Sequence, residues 1–302
     1  MAEQPEQPII ATTALRKSYD GVEALRGLDL HVPAGSICGF LGRNGAGKTT
    51  TIKILLGMAR PTQGEARVFG LPAHLPQTST EIRLRTGFVG EEKDLYRYMT
   101  VAEMVRFTAS FYPRWRRDLE QRYLRRFELP AERKVKALSR GMRTKLALLL
   151  AFCRGAELLI LDEPTAGLDP AVAEDVLQAL VTHVGAEAMT VFFSSHHIAE
   201  VEQIADRIII IDHGRSVVAG ELDDVRQAFC RVEMVFDGDA PAAVFRAPGV
   251  ARVRRSGRVL TVVSGGGAEE VVSEAQALHP KSIEVVPLTL KEIFLASLAE
   301  EV

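Results

Sequence analysis

The residues best suited to chemistry are Gly42–Thr50, which read GRNGAGKTT. Gly42, Gly47, Lys48 and Thr49 fill the fixed places of the phosphate-loop pattern, and Arg43, Asn44, Gly45 and Ala46 complete its backbone. Glycines let such a loop wrap a phosphate chain with its N–H groups turned inward. A helix starting at Lys48 would aim its positive dipole end at the same phosphates. Lys48 supplies a full charge to the β- and γ-phosphates, the Thr49 hydroxyl can ligate Mg2+, and Thr50 can reach a phosphate oxygen.

Other chemically capable residues recur along the chain. Asp162 and Glu163 follow the apolar run Leu158–Leu161. A buried parallel strand there delivers two acids at its C-terminal end, the edge where open α/β sheets bind ligands. His196 ends another apolar run, Thr190–Ser195. Ser139, in Leu138–Met142 (LSRGM), is placed as the N-cap of a helix Arg140–Cys153 that Gly155 can close. A helix start carrying a free hydroxyl and the nearby Gly141 is a second potential phosphate site. Asp169 reads as an N-cap with Pro170 in the first helical position. Tyr19, at an upstream turn, reads either as an aromatic resting on a sheet edge or as a platform for a nucleotide base.

The elements that must position these residues are legible from patterning. Ile37–Leu41 is a short apolar run, as a buried strand before the loop should be. Ile9–Pro33 and Gly64–Gly70 predict an antiparallel layer. Thr86–Glu92 predicts a short strand ending in Glu91 and Glu92, and Thr100–Glu103 a capping box. Arginines between Tyr112 and Lys136 are interleaved with acids, which suits an exposed helix face. Strands that are nearly all apolar and alternate with helices indicate a parallel sheet covered on both faces. After about Gly220 the pattern changes to Arg231–Phe236, Val250–Arg255 and Arg258–Ser264 as strands, a hairpin turn at Ser256-Gly257, a helix at Ala268–Leu278, a strand at Ser282–Val286 and a terminal helix at Leu290–Leu298. This predicts a separate α+β unit in the order strand–helix–strand–strand–helix–strand.

Composition narrows the class. Hydrophobic residues at 47% and charged residues at 25% are ordinary for a globular protein. A net charge of -2 argues against a general nucleic-acid binder. No apolar stretch approaches the ~20 residues that span a bilayer. The opening MAEQPEQP predicts a short disordered tail over residues 1–8, neither signal nor transit peptide. Cys38, Cys153 and Cys230 are far apart in apolar surroundings, which suits a reduced cytosolic setting without disulfides.

Taken together, these motifs resemble the ATP-binding cassette (ABC) ATPases over about Ile9–Gly220, with wording similar to the ATPase subunits of ABC-2-type bacterial exporters. The resemblance implies an α/β fold: a P-loop NTPase (RecA-like) core with an antiparallel β layer and a helical subdomain at about 92–155. It makes 9–220 the ATPase domain and leaves 221–302 as an accessory or regulatory α+β domain. Tyr19 matches the family's base-stacking aromatic, Glu91 its glutamine loop, Leu138–Met142 its signature, Asp162 and Glu163 its acidic pair, Leu168-Asp169 the following loop and His196 its switch histidine. Two departures stand out. Arg140 and Met142 replace a glycine and a glutamine of the usual LSGGQ, and Glu91 replaces a glutamine, so it accepts hydrogen bonds but cannot donate them when ionised.

The resemblance further implies that ATP with Mg2+ lies between the phosphate loop of one chain and Ser139–Gly141 of a second, paired head to tail as a homodimer or heterodimer. Thr49, Asp162 and Glu91 would serve the metal, Glu163 would deprotonate the attacking water, His196 would contact the γ-phosphate, and Asp169 would act across the dimer. The expected function is to power a separately encoded integral-membrane permease, with export favoured, from the cytoplasmic face of the membrane and with no nucleic-acid partner. The alternative is a soluble ABC ATPase acting on ribosomes or nucleic acid. A C-terminal unit that gates the ATPase is compatible with the first.

Overall fold

The computed structural model describes residues 7–187 and 189–298, so the first six residues of the expected tail lie outside it. The chain begins with two long strands, β1 (Ile10–Tyr19) and β2 (Val22–Val32), then β3 (Ile37–Leu41), the phosphate loop and α1 (Lys48–Leu55). β4 (Gln63–Val68), β5 (Leu71–Pro72), α2 (Pro76–Arg85) and β6 (Thr86–Val89) follow. Three helices, α3 (Val101–Ala109), α4 (Arg117–Arg126) and α5 (Arg140–Phe152), precede β7 (Leu158–Asp162). Next come α6 (Pro170–Glu187), β8 (Thr190–Ser195), α7 (Ile198–Ile204), β9 (Arg207–Asp212) and β10 (Arg215–Glu221). The remainder is α8 (Leu222–Ala228), β11 (Cys230–Val235), β12 (Val250–Ser256), β13 (Val259–Ser264), α9 (Ala268–Gln276), β14 (Ser282–Pro287) and α10 (Leu290–Ser297).

Among the described residues the central sheet has the order β10-β9-β3-β8-β7-β6 and is parallel except for β10. Its inner strands are buried on both faces, and the period-2 alternation divides them cleanly. Leu41, Leu161, Phe193 and Ile210 face the core shared with α3–α7, whereas Phe40, Ile160, Phe192 and Ile211 face the core shared with the antiparallel β2-β1-β4-β5 layer. Each such side chain is worth about 1.5–3 kcal/mol on burial. That explains why runs such as ICGFL carry no polar residue. The capping box forms as expected: Thr100 Oγ1 accepts from the Glu103 N–H at 3.2 Å, and Glu103 accepts from the Thr100 N–H at 2.8 Å.

The C-terminal sheet, β12-β13-β11-β14, is antiparallel and has its own core with α9. Three expectations are corrected here. No helix lies between β11 and β12, because Pro241 and Pro248 cannot donate to a helical ladder and Gly238 and Gly249 disfavour one. The hairpin turn is Gly257-Arg258, one residue later than expected, since Ser256 pairs with Val259. Finally, α10 does not belong to the small core. Leu290, Ile293, Phe294 and Leu298 are buried in the large core beside α7.

A buried histidine joins α6 to the helices before β7. The Tyr123 hydroxyl and His183 Nδ1 share a hydrogen bond of 3.1 Å, and the His183 ring stacks on Phe152 with centroids 4.0 Å apart. Burial, partly opposed by Glu187, pulls the imidazole down to about 4 from its ordinary 6.5. The folded chain therefore refuses a proton that the unfolded chain accepts as the pH falls from 6.5 towards 4. Stability is full above that window and is lost through it, by about 3 kcal/mol at most. In urea melts at pH 7 and pH 4, wild type should lose more stability than His183→Gln by an amount of that order. Equal losses would mean that the histidine is not held neutral.

Candidate nucleotide site

The functional edge follows from register. Leu41 of β3 lies beside Ser195 of β8, and Ser194 lies beside Asp162 of β7. The next residues along these adjacent strands are Gly42, His196 and Glu163, so three remote segments meet at one C-terminal sheet edge.

Glu163 is the centre of the contacts. Lys48 Nζ lies 3.2 Å from Glu163 Oε1, and His196 Nδ1 lies 2.7 Å from Glu163 Oε2. The lysine also donates to the carbonyl oxygens of Gly42 at 2.7 Å and Arg43 at 3.3 Å. Lys48, Asp162 and Glu163 are all buried. Glu163 adopts a left-handed φ of 47°, a strain typical of functional sites and worth about 1–3 kcal/mol. Ser194 holds it there: the Glu163 N–H donates to Ser194 Oγ at 3.0 Å, and Ser194 Oγ donates to Asp162 Oδ1 at 2.6 Å. On the flank, Ser195 and Thr165 hydroxyls both donate to Glu200 Oε2, at 2.9 and 2.7 Å.

The loop has the form of an anion cradle. Gly47 takes φ 112°, and a Cβ there would lie 2.7 Å from Leu25 Cδ2 and 2.8 Å from the Ala24 oxygen. At Gly42 a Cβ would meet Ile211 at 2.7 Å. No side chain caps α1, and its ladder begins with the Thr51 N–H on the Gly47 oxygen, so the preceding amides are left for a ligand. They open into a cavity of about 390 Å3. Arg43, Asn44, Gly45, Gly47, Lys48, Thr49, Thr50, Glu91, Glu163 and His196 line it, together with Ala24. Of the residues expected to serve a cation, Thr49 and Glu91 line the cavity and offer oxygens, which suits a hard ion such as Mg2+.

Several expected residues lie away from this cavity. Gly42 and Ala46 are buried and shape the loop from behind, and Asp162 lies behind Glu163. Tyr19 is 43% exposed at the end of β1, with the Lys17 ammonium 4.5 Å from its ring centre. Ser139 caps α5, accepting from the Met142 N–H at 3.2 Å. Gly141 packs on Val172 of α6, and the Asp169 carbonyl accepts from the Val172 and Ala173 N–H groups at the start of α6.

Sequence reasoning missed Ala24 and Ser194. Ala24 reaches the loop only because β2 folds over it. Ser194 had a faint signal, a hydroxyl pair ending an otherwise apolar strand. Lys93 was also missed: its Nζ donates to the Glu91 carbonyl at 3.0 Å, and burial, with Arg140 nearby, pushes it down to about 8.

The fold and the cradle define a phosphate-loop nucleotide hydrolase. The ABC transporter family model matches residues 25–166. The chain is 37% identical to the bacitracin transport ATP-binding protein BcrA of Bacillus licheniformis, over 68% of each chain. It is 32% identical to the Nod factor export ATP-binding protein I of Ralstonia nicotianae, over 84% of this chain and 80% of that one. A solved ATP-binding subunit of an ABC transporter superposes with TM-score 0.66 at 28% identity, covering 72% of this chain and 92% of that one. This chain belongs to the ABC transporter family, as an ATP-binding and ATP-hydrolysing subunit.

The close contacts at Gly47 give a direct test. Gly47→Ala should weaken binding of a fluorescent ATP analogue at least about tenfold, the equivalent of ~1.4 kcal/mol, while circular dichroism stays native. Lys48→Ala should do likewise. Unchanged affinity in both would remove the cradle from nucleotide binding.

Proposed function

We propose that this subunit powers export through a separately encoded membrane permease, by closing on ATP with a second ATPase chain and reopening after hydrolysis. The carrying observation is Glu163 held between Lys48 and His196 beside an uncapped helix start. Phosphoryl transfer needs mainly positioning and charge. Lys48 and the loop amides meet the terminal phosphates. Once the ammonium is drawn to phosphate, Glu163 is released to orient a water and accept its proton. His196 turns towards the γ-phosphate and reports its presence to Glu163. Thr49, Asp162 and Glu91 would hold Mg2+, which would supply charge neutralisation when bound. Tyr19 stacks the base. Ser139, Gly141 and Asp169, which lie off the cavity, act on the nucleotide of the partner chain.

Residues 9–220 act as the ATPase domain, with a helical subdomain at about 92–155, and 221–302 as an accessory region whose last helix, α10, packs back on the large core. None of the helices among the described residues is long and apolar enough to cross a membrane. The relatives named as transport and export ATP-binding proteins support the reading that the permease is another polypeptide, with this subunit on the cytoplasmic side against it. The exposed rings of Tyr96, Tyr98, Phe107 and Phe111, tilted between the tyrosines and edge to face from Tyr96 to Phe107 to Phe111, offer an apolar surface just after Glu91 for that contact. The export direction rests on the relatives that transport bacitracin and export Nod factor. No nucleic-acid partner is expected at a net charge of -2.

Glu163→Gln should still bind ATP, hydrolyse it at least about a hundredfold more slowly, and run as a dimer in size-exclusion chromatography with ATP. Wild-type turnover in that variant would refute the role of Glu163. For the transport arm, detergent extracts of membranes should yield the subunit together with a multi-span protein. Recovery only with ribosomes would favour the soluble alternative.

A further inference from the structure

The signature departs from its family pattern at Arg140, and the structure shows what the larger side chain does. Arg140 is the first residue of α5, directly after the Ser139 cap, and is exposed. Its guanidinium lies over the backbone of Gly167, in the loop between Glu163 and α6. A Cβ on Gly167 would lie 2.6 Å from Arg140 Cζ and 3.0 Å from Nη2. Gly167 itself takes φ 66° and carries no Cβ, so its backbone is open to the arginine. One residue further on, a Cβ on Gly141 would lie 2.7 Å from Val172 Cγ1. The start of α5 thus grips the chain on both sides of Asp169, at Gly167 and at Val172. Lys145 and Asp175, 2.5 Å apart, join the two helices again a turn later.

Arg140 also borders a cleft of about 510 Å3 whose charged lining is mixed, with Glu91, Glu92 and Asp94 beside Lys93, Arg97 and Arg143. Shape sets the resting place: with no Cβ, Gly167 leaves its peptide face open to the guanidinium. A planar, weakly hydrated guanidinium can lie against such a face, whereas an ammonium cannot match it.

We propose that Arg140 is a positioning residue: it locks the start of α5 to the Gly167 loop, so that each chain presents Ser139 and Asp169 to its partner's nucleotide as one rigid face. This rests on the paired-chain reading above. A glycine in this place would leave no side chain over Gly167, although Val172, Lys145 and the shared apolar core would still join the two helices. The arginine closes that gap before the chains meet, and preorganisation lowers the cost of closure.

The expected signature is a loss of turnover without a loss of binding. Arg140→Ala should bind ATP as a single chain with unchanged affinity, yet its kcat should fall about tenfold. Gly167→Ala, which pushes the guanidinium away, should behave alike, and the double variant should be no worse than the poorer single one. The partner's role is tested by mixing Arg140→Ala chains with Glu163→Gln chains and following single-turnover hydrolysis of labelled ATP. In the mixed dimer the only hydrolytic loop, on the Arg140→Ala chain, faces an intact Arg140, so a burst at the wild-type rate is expected. If Glu163→Gln forms no ATP-dependent dimer, the paired-chain reading falls first. If it does dimerise, then wild-type turnover in Arg140→Ala, or no burst on mixing, overturns the role of Arg140.

Discussion

The site depends on one buried carboxylate, that of Glu163. Alone, such a charge would cost several kcal/mol of lost hydration. Here the Lys48 ammonium lies against one oxygen and the His196 imidazole against the other. The same contacts that let the carboxylate be buried tie three strands' worth of sequence into one electrostatic unit. Any anion that enters the cradle competes with Glu163 for Lys48. Under the proposed function, nucleotide binding would free Glu163 to act as the base in the same event, linked by charge and not by a long conformational path.

That unit needs a backbone that L side chains resist. Glu163 is held at positive φ because Ser194 anchors its N–H and Asp162 anchors Ser194. The phosphate loop is likewise pinned from outside. The Gly214 N–H donates to the Ala46 oxygen at 3.0 Å, and the Arg26 N–H donates to the Gly214 oxygen at 2.9 Å. The antiparallel layer, the turn between β9 and β10 and the loop therefore interlock through backbone groups. A Cβ at Gly47 has no room because Ala24 and Leu25 are already there.

The C-terminal region is less separate than its sequence pattern implies. Its sheet and α9 bury their own apolar faces, but α10 turns back to pack beside α7, the helix that begins two residues after His196. Arg231 of β11 pairs with Glu292 of α10 at 2.9 Å, so the small sheet is bonded to that returning helix. The amphipathic stripe of Leu290–Leu298 announces a helix with one buried face. It does not say which of two cores receives that face.

The sequence by itself determined a good deal, because local rules operate over a few residues. The fixed spacing of Gly42, Gly47, Lys48 and Thr49 marked the loop, and the nearly all-apolar runs at β3, β7, β8 and β9 marked a parallel sheet with acids and a histidine at its edge. Caps at Thr100 and Ser139 were legible because a hydroxyl at that position has one nearby N–H to accept from. Where prolines and glycines broke the pattern, between β11 and β12, local reading overreached by expecting a helix. What only the tertiary structure decided is who faces whom. The Lys48–Glu163–His196 contacts, the Ser194 relay, Ala24 against the loop, Arg140 over Gly167 and α10 in the large core all join residues far apart in sequence. Such pairings depend on strand order and close packing between elements, which no spacing along the chain encodes.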